Sequence, residues 1–315
     1  VTVTFTKDKI ADVKVTHSET PGIGSKAAEL LPGRIVERQS PQVDGVTGAT
    51  ITSTAIRTAV ADTVKQAGAD PAALVPLAVK KQAKNETVDT DVVVVGGGGA
   101  GMSATTRMNG LNVVLVEKMP FIGGAASISG GQVVAQGSKL QKAFGVTDDS
   151  VESMVKDFQA NGHNLNDLSK LTLYAKNVGP TIDWLHDQVG VKFIPNDLPF
   201  LAEYSHRRAL EFQGGAGTMA QHLREVIGSN GAKVLFNTRV EKLIVEDGKV
   251  TGVEAVDGNT GTKYTIRAKK TLLTTGGYGN NKNLLTDTYK NTLYYGPVSS
   301  TGDGLQMAQK LGVKT

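Results

Sequence analysis

Apolar and polar residues alternate over residues 1–15, with a break at Lys7-Asp8-Lys9. That pattern predicts a β-hairpin turning at the break. Residues 17–24, HSETPGIG, are rich in turn formers and predict a loop. A short helix is expected over 25–31 and a strand over 33–39. Ile51, Ala55, Ile56, Ala59, Val60 and Val64 then recur at helical spacing, which predicts an amphipathic helix ending near Ala67-Gly68. Residues 69–87 mix Pro, Ala and Lys. They read as a linker, or as the edge of a flanking domain. Val92 to Val95 form an unbroken apolar run, as in a strand buried on both faces. A helix over 102–109 and a strand over 112–116 are expected next. A glycine-rich loop covers 120–131. Helices are expected over 151–158 and 167–189, the second interrupted at Gly179-Pro180, and another over 218–227. Residues 193–215 read as irregular. From Lys233 the period switches to two, in VLFN, VEKLIVED, VTGVEAVD and KYTIRAKKTLLTT. These predict a β-meander with turns at Asp247-Gly248 and 257–260. A last helix is expected over 305–311.

The chemistry starts where the valine run ends. Gly96, Gly98 and Gly101 form G-x-G-x-x-G between that strand and the next helix, and Glu117 closes the second strand. Glycines let backbone approach a pyrophosphate, which sits at the positive end of the helix. The acid accepts hydrogen bonds from ribose hydroxyls. Strand, turn, helix, strand and acid in register predict a dinucleotide site. A glycine-rich βα turn without ligand is the plainer alternative. Thr50 stands at or near the start of the earlier amphipathic helix. There a hydroxyl serves as a cap, or stands where free amides favour a phosphate.

Composition narrows this further. The 34 basic and 30 acidic residues give a net charge of only +4, too balanced to argue for nucleic acid. No apolar run reaches membrane-spanning length. Absence of cysteine excludes disulfides, thiolate metal sites and iron–sulfur ligation by this chain. It also suits a secreted or cell-surface protein. The five histidines show no metal-ligand spacing, so no metal is expected. His206-Arg207-Arg208 suits a carboxylate ligand, because arginine pairs well with carboxylates; a plain basic loop is the alternative.

Asp44-Gly45-x-Thr47-Gly48-Ala49-Thr50 resembles the flavinylation motif of FMN-binding domains, and HSETPGIG resembles the same family's loop. The resemblance covers about residues 1–75. It implies FMN esterified through its phosphate to Thr50 by a flavin transferase. The second part resembles the flavoproteins of the fumarate reductase and succinate dehydrogenase family, most of all the soluble enoate reductases. VVVVGGGGAG, Glu117-Lys118, Gly123-Gly124 to Gly130-Gly131, Val240 in NTRVEKL, Thr275-Gly276-Gly277 and the TGDG at 301–304 carry it. By that likeness FAD is contacted by Gly96, Gly98, Ala100 and Gly101 at the pyrophosphate and by Glu117, with Lys118 beside it, at the ribose. Ala125, Ala126, Gly130, Gly131, Thr275, Gly276 and Gly277 would contribute, with the Val240 backbone near adenine and Asp303 near the isoalloxazine. Many relatives have Asn near position 125; this chain has Ala125 and Ala126. No His stands near Gly124, where membrane-bound relatives tether FAD, so non-covalent FAD is expected.

Together these imply an α/β chain. A Rossmann-like FAD-binding domain with a β-meander (88–315) follows a small α+β FMN-binding domain (1–75) and a linker (76–87). The implied activity is electron transfer from FMN to FAD for reduction of a small unsaturated carboxylate such as fumarate or urocanate. An external donor, quinol-linked or a membrane redox protein, would supply the electrons outside the cytoplasm. The alternatives are an electron-transfer flavoprotein without its own substrate, or another FAD oxidoreductase of this fold such as a ketosteroid dehydrogenase or aspartate oxidase. In the family the catalytic residues lie in a capping region after the TGDG helix, so they are expected beyond Thr315.

Overall fold

The computed structural model describes residues 1–19, 24–46, 49–77, 83–195 and 197–314. Two compact units emerge: residues Val1–Ala125 with Ile227–Thr315, and residues Ala126–Val226.

The first unit opens with the predicted hairpin. Strands β1 (Thr2–Phe5) and β2 (Ile10–Lys14) pair antiparallel, and the turn is closed by Thr6 N–H to the Lys9 carbonyl at 2.9 Å. Helix α1 (Gly24–Arg38) follows. It runs through Pro32 and replaces the strand expected over 33–39. Pro32 removes one helical donor, but Ala27, Ala28, Leu31 and Ile35 bury one helical stripe across it, and that burial outweighs the lost bond. Helix α2 (Thr50–Gln66) packs Ile56 and Val60 against Ile10, Val13, Leu31 and Ile35 in one apolar cluster. Its buried stripe is Thr52, Ser53, Ile56, Val60 and Val64. Ile51 is 88% exposed and Ala55 is exposed too, so the expected face is rotated by about one residue. The first turn obeys the Ser53 hydroxyl, which accepts from Val46 N–H at 2.9 Å. A 3₁₀ turn at Pro71–Ala73 and Leu77, whose N–H reaches the Arg38 carbonyl, follow.

The rest of this unit is a six-stranded sheet. Its members are β3 (Asn85–Val95), β4 (Val113–Val116), β7 (Lys233–Leu235), β8 (Thr238–Glu246), β9 (Lys249–Asp257) and β10 (Lys263–Leu273), in the order β7-β4-β3-β10-β9-β8. β7, β4, β3 and β10 run parallel; β8, β9 and β10 form the antiparallel meander. Asp247 and Gly248 both take positive φ, 50° and 74°, as a tight two-residue hairpin requires. Helix α3 (Gly99–Arg107) links β3 to β4. Val93, Val95, Val114, Val116, Val253 and Ile266 form the core under the sheet. β3 starts at Asn85, inside the stretch read as linker. Short helices α4 (Gly124–Ser127), α9 (Asp287–Lys290) and α10 (Asp303–Lys310) complete the account of elements at or beyond this sheet.

The second unit holds strand β5 (Gln132–Val134), helices α5 (Lys139–Ala143), α6 (Val151–Asn161) and α7 (Leu168–Trp184), strand β6 (Ala209–Glu211) and the start of α8 (Gly215–Ser229). Helix α7 is not interrupted at Gly179-Pro180; it continues into a π turn at Leu185–Val189. Gly179 lets the helix approach another segment: a Cβ there would lie 2.4 Å from the Gln136 carbonyl oxygen. The stretch 193–215, read as irregular, contains β6, which pairs antiparallel with β5. Three-residue strands carry too few positions for a period of two to show.

Candidate functional site

The glycine turn sits where β3 ends, between β4 and β10. This is the point where chain connections leave a parallel sheet in opposite directions and ligands bind. Its glycines are not equivalent. Gly96 has φ +99°, and a Cβ on it would meet the Thr274 carbonyl oxygen at 2.6 Å. A Cβ on Gly101 would lie 1.9 Å from the Gly96 carbonyl oxygen, so α3 packs on the turn only without a side chain. Gly98 caps α3, and a Cβ there meets nothing within 4 Å. Open space above an N-terminal helical turn, with first-turn amides lacking helical acceptors, is a cradle for a pyrophosphate. Ala100 is exposed in that turn. The Thr274 hydroxyl donates to the Gly96 carbonyl at 2.7 Å and ties β10 to the turn.

Glu117 is 7% exposed. Its Oε2 accepts from Gly97 N–H at 2.7 Å and its Oε1 from Met119 N–H at 2.8 Å. Burial raises its pKa, and the amide donors and the Lys118 charge oppose that rise. The carboxylate is thus fixed at the end of β4 beside the turn, with lone pairs left for ribose hydroxyls. Gly123 N–H donates to the Gly97 carbonyl at 2.7 Å. Gly124 lies over Gly98, with a Cβ position 3.0 Å from the Gly98 Cα, and Ala125 follows it in α4.

Lys118, Thr301 and Asp303 meet at the next position. Lys118 Nζ lies 2.6 Å from the Thr301 hydroxyl and 3.0 Å from Asp303 Oδ2. Arg239 clasps Asp303 with Nη2 at 2.8 Å and Nε at 3.1 Å, and the Thr301 hydroxyl donates at 2.9 Å. Burial alone would raise the Asp303 pKa; the bonds from Arg239, Lys118 and Thr301 outweigh it and hold it at about 2. Four donors fill the acceptor sites of one carboxylate. Asp303 therefore joins the TGDG turn to β4 and β8. Thr275, Gly276 and Gly277 lie against that turn: a Cβ on Gly304 would meet the Thr275 hydroxyl at 2.0 Å, and Gly302 N–H bonds the Gly277 carbonyl. Val240 is buried, and the register skips Glu241 beside it, a bulge that redirects local backbone. A cavity of about 230 Å³ opens there, lined by Arg239, Val240, Glu241, Asp303, Gln306 and Met307.

The fold thus assembles Gly96, Gly98, Ala100, Gly101, Glu117, Lys118, Ala125, Thr275, Gly276, Gly277, Val240 and Asp303 within one unit. Ala126, Gly130 and Gly131 belong to the second unit, where the Gly131 carbonyl accepts from Phe212 N–H. Sequence reasoning missed Arg239 and Thr274. Both act on partners distant in sequence: Arg239 lies within NTRVEKL and Thr274 just before Thr275-Gly276-Gly277, but neither motif reveals the bonds to Asp303 and to the Gly96 carbonyl.

Thr50 is the first residue of α2, one place inside the helix, because Ala49 holds the cap position without a side-chain bond. Thr50 is exposed at the positive end of the helix, and no acid stands in the first turn to oppose it. Thr47 and Gly48 of the motif lie outside the described residues.

The arginine pair is structural. Arg208 is 1% exposed. It binds Asp149 through Nε and Nη2, both at 2.7 Å, and Asp157 through Nη1 at 2.6 Å. Arg207 donates to the Leu198 carbonyl and lies over the Phe200 ring. Neither the carboxylate-ligand reading nor the plain basic loop describes Arg208; it is a buried ion-pair centre that pins the segment before β6 to α6.

The residues fit a dinucleotide flavin: an open cradle at Gly98, packed glycines on either side, and a fixed acid for the ribose. When bound, such a group supplies hydride and single-electron chemistry that no side chain here offers. The chain matches the FMN-binding domain over residues 1–65 and the FAD binding domain over residues 91–315. Over 97% of its length it is 33% identical to a urocanate reductase of Eggerthella lenta, covering 52% of that protein. Over its whole length it is 28% identical to an NADH:fumarate oxidoreductase of Klebsiella pneumoniae, covering 34% of that protein. The open conformation of a flavocytochrome c3 fumarate reductase superposes with a TM-score of 0.64 at 33% identity, over 71% of this chain and 40% of that one. The chain thus spans about half the length of these relatives or less. It belongs to the FAD binding domain family of flavoproteins, with an FMN-binding domain ahead of the FAD-binding part.

Proposed function

We propose that this chain is the flavin-carrying part of an enoate reductase, in which electrons entering at FMN joined to Thr50 reach FAD at the glycine turn and leave as hydride to an unsaturated carboxylate of the fumarate or urocanate kind. The observation that carries this is the order of the two flavin domains on one chain, shared over 97% of its length with a urocanate reductase. Within that reading the chain's own residues have defined tasks. The Thr50 hydroxyl forms the ester to the phosphate, with a flavin transferase as the maturation partner. Gly98 and the α3 amides receive the pyrophosphate. Glu117 orients the ribose. Asp303 holds Lys118 and Arg239 so that the end of β4, β8 and the TGDG turn keep one arrangement beside the bound FAD. The donor is an external redox protein, quinol-linked or membrane-bound. The absence of cysteine supports a place outside the cytoplasm, and fractionation of the source cells tests it.

The catalytic test follows oxidation of a reduced viologen by the whole protein on adding fumarate, urocanate or acrylate. Turnover with at least one of them, lost when FAD is stripped and regained on its return, is the expected result. Reduced flavins that persist in the presence of all three would overturn the reading in favour of a pure electron carrier.

A further inference from the structure

Two neighbouring apolar residues in the loop after Lys118 serve different parts of the molecule. Ile122 is buried and lies on the glycine turn: a Cβ at Gly97 would meet its Cγ2 at 2.2 Å. Phe121, one residue earlier, is half-buried and packs against the apolar cluster of the N-terminal domain. That cluster includes Val46 and Ala49, both in the described part of the DGVTGAT motif. The loop is itself fixed, through the bond from Gly123 N–H to the Gly97 carbonyl. A single dipeptide therefore touches the core beneath one flavin motif and the backbone of the other.

The path between the domains is also restrained. After α2 the chain is held along the N-terminal domain: the Ser40 hydroxyl bonds the Leu74 carbonyl, Gln42 bonds the Pro71 and Ala72 carbonyls, and Leu77 N–H bonds the Arg38 carbonyl. β3 starts at Asn85. Residues 78–84 alone separate the last of these ties from the sheet, and the eight steps from Leu77 to Asn85 reach at most about 29 Å. Tethering at that range gives a high effective concentration, so one modest apolar contact suffices to keep the two parts together.

We infer that Phe121 is a docking residue: it seats the N-terminal domain on the loop that covers the glycine turn, and so fixes the distance between the Thr50 helix and the pyrophosphate cradle. The contact stands by itself; its role in spacing two flavins rests on the function proposed above. Phe121 is a positioning residue, since it acts on the cofactor seats through the domain it holds.

The chain has no native cysteine, so paired spin labels report on it cleanly. Labels at Thr54→Cys and Asn109→Cys, both exposed sites, one on α2 and one just after α3, should give a single narrow distance distribution in the full chain with its flavins. Phe121→Ala should lose that single population and broaden it, while Phe121→Leu, which keeps apolar bulk, should retain it. A broad distribution without any Phe121 change, or a narrow one that survives Phe121→Ala, would overturn the proposal. The same labels in Thr50→Ala separate the two claims. Loss of covalent flavin with the distribution still narrow leaves the docking intact. Covalent flavin retained by Thr50→Ala sinks the attachment reading and leaves the docking result to stand or fall alone.

Discussion

Asp303 accepts from three residues on three segments, and its side chain is 10% exposed. Its folded-state pKa of about 2 lies below the unfolded value of about 3.9. The depressed value means that its contribution is present above the unfolded pKa and is lost as pH falls from about 4 toward 2. The linkage amounts to at most about 3 kcal/mol, reduced by the exposure of Arg239. Asp303→Asn should lower stability at neutral pH by up to that amount, and the difference should vanish near pH 2; urea unfolding across that range measures it. Arg208 makes a stronger case, since its side chain is fully buried and Asp149 is 2% exposed. Arg208→Ala leaves that carboxylate buried without its cation and should cost about 3–5 kcal/mol, read from the same urea curves, without changing FAD affinity per folded molecule. Glu117→Ala removes a buried acceptor aimed at the ribose and should weaken FAD binding by about 1.5–3 kcal/mol, read by titrating FAD into stripped protein. Of these three residues Glu117 was legible in the sequence, because a motif fixes its distance from the glycines. Arg208 was not: its partners lie 51 and 59 positions away, and local pattern carries no record of such pairing.

At the scale of elements, the β3–α3–β4 unit separates two uses of glycine. A Cβ on Gly101 would collide with the Gly96 carbonyl, whereas one on Gly98 enters empty space at an ordinary φ of −72°. Gly101→Ala should therefore destabilise the fold itself. Gly98→Ala should melt within a degree or two of the parent, roughly the effect of a neutral surface change, yet lose FAD, because the methyl occupies the space over the amides. Paired melting curves and FAD titrations of the two variants check this, and equal melting losses in both would contradict it. This unit and the meander were legible because their apolar runs and turn residues agree with the final pairing. The helices through Pro32 and Pro180 were not. Proline removes one hydrogen bond from a helix, and sequence alone does not reveal that the stripe on either side is buried deeply enough to compensate. The rotation of α2 had a different cause, since the Ser53–Val46 bond turns a polar residue inward and leaves Ile51 outside.

For the molecule as a whole, the two flavin seats proposed above both depend on helix starts, by different chemistry. α3 offers bare amides over glycine for a group held by hydrogen bonds. α2 offers an exposed hydroxyl in a first turn without acids, where the proposed ester would form. Under the proposed function the pairing gives one chain a cofactor that dissociates on denaturation and one that does not. Intact-mass measurement of denatured protein, produced together with a flavin transferase, tests that claim most directly, combined with identification of the flavin in the supernatant. The expected result is a chain heavier by one FMN less one water, with FAD released in equal amount. Thr50→Ala should return the chain to its unmodified mass while still releasing FAD. A chain of unmodified mass, or Thr50→Ala that keeps the added mass, would contradict that claim.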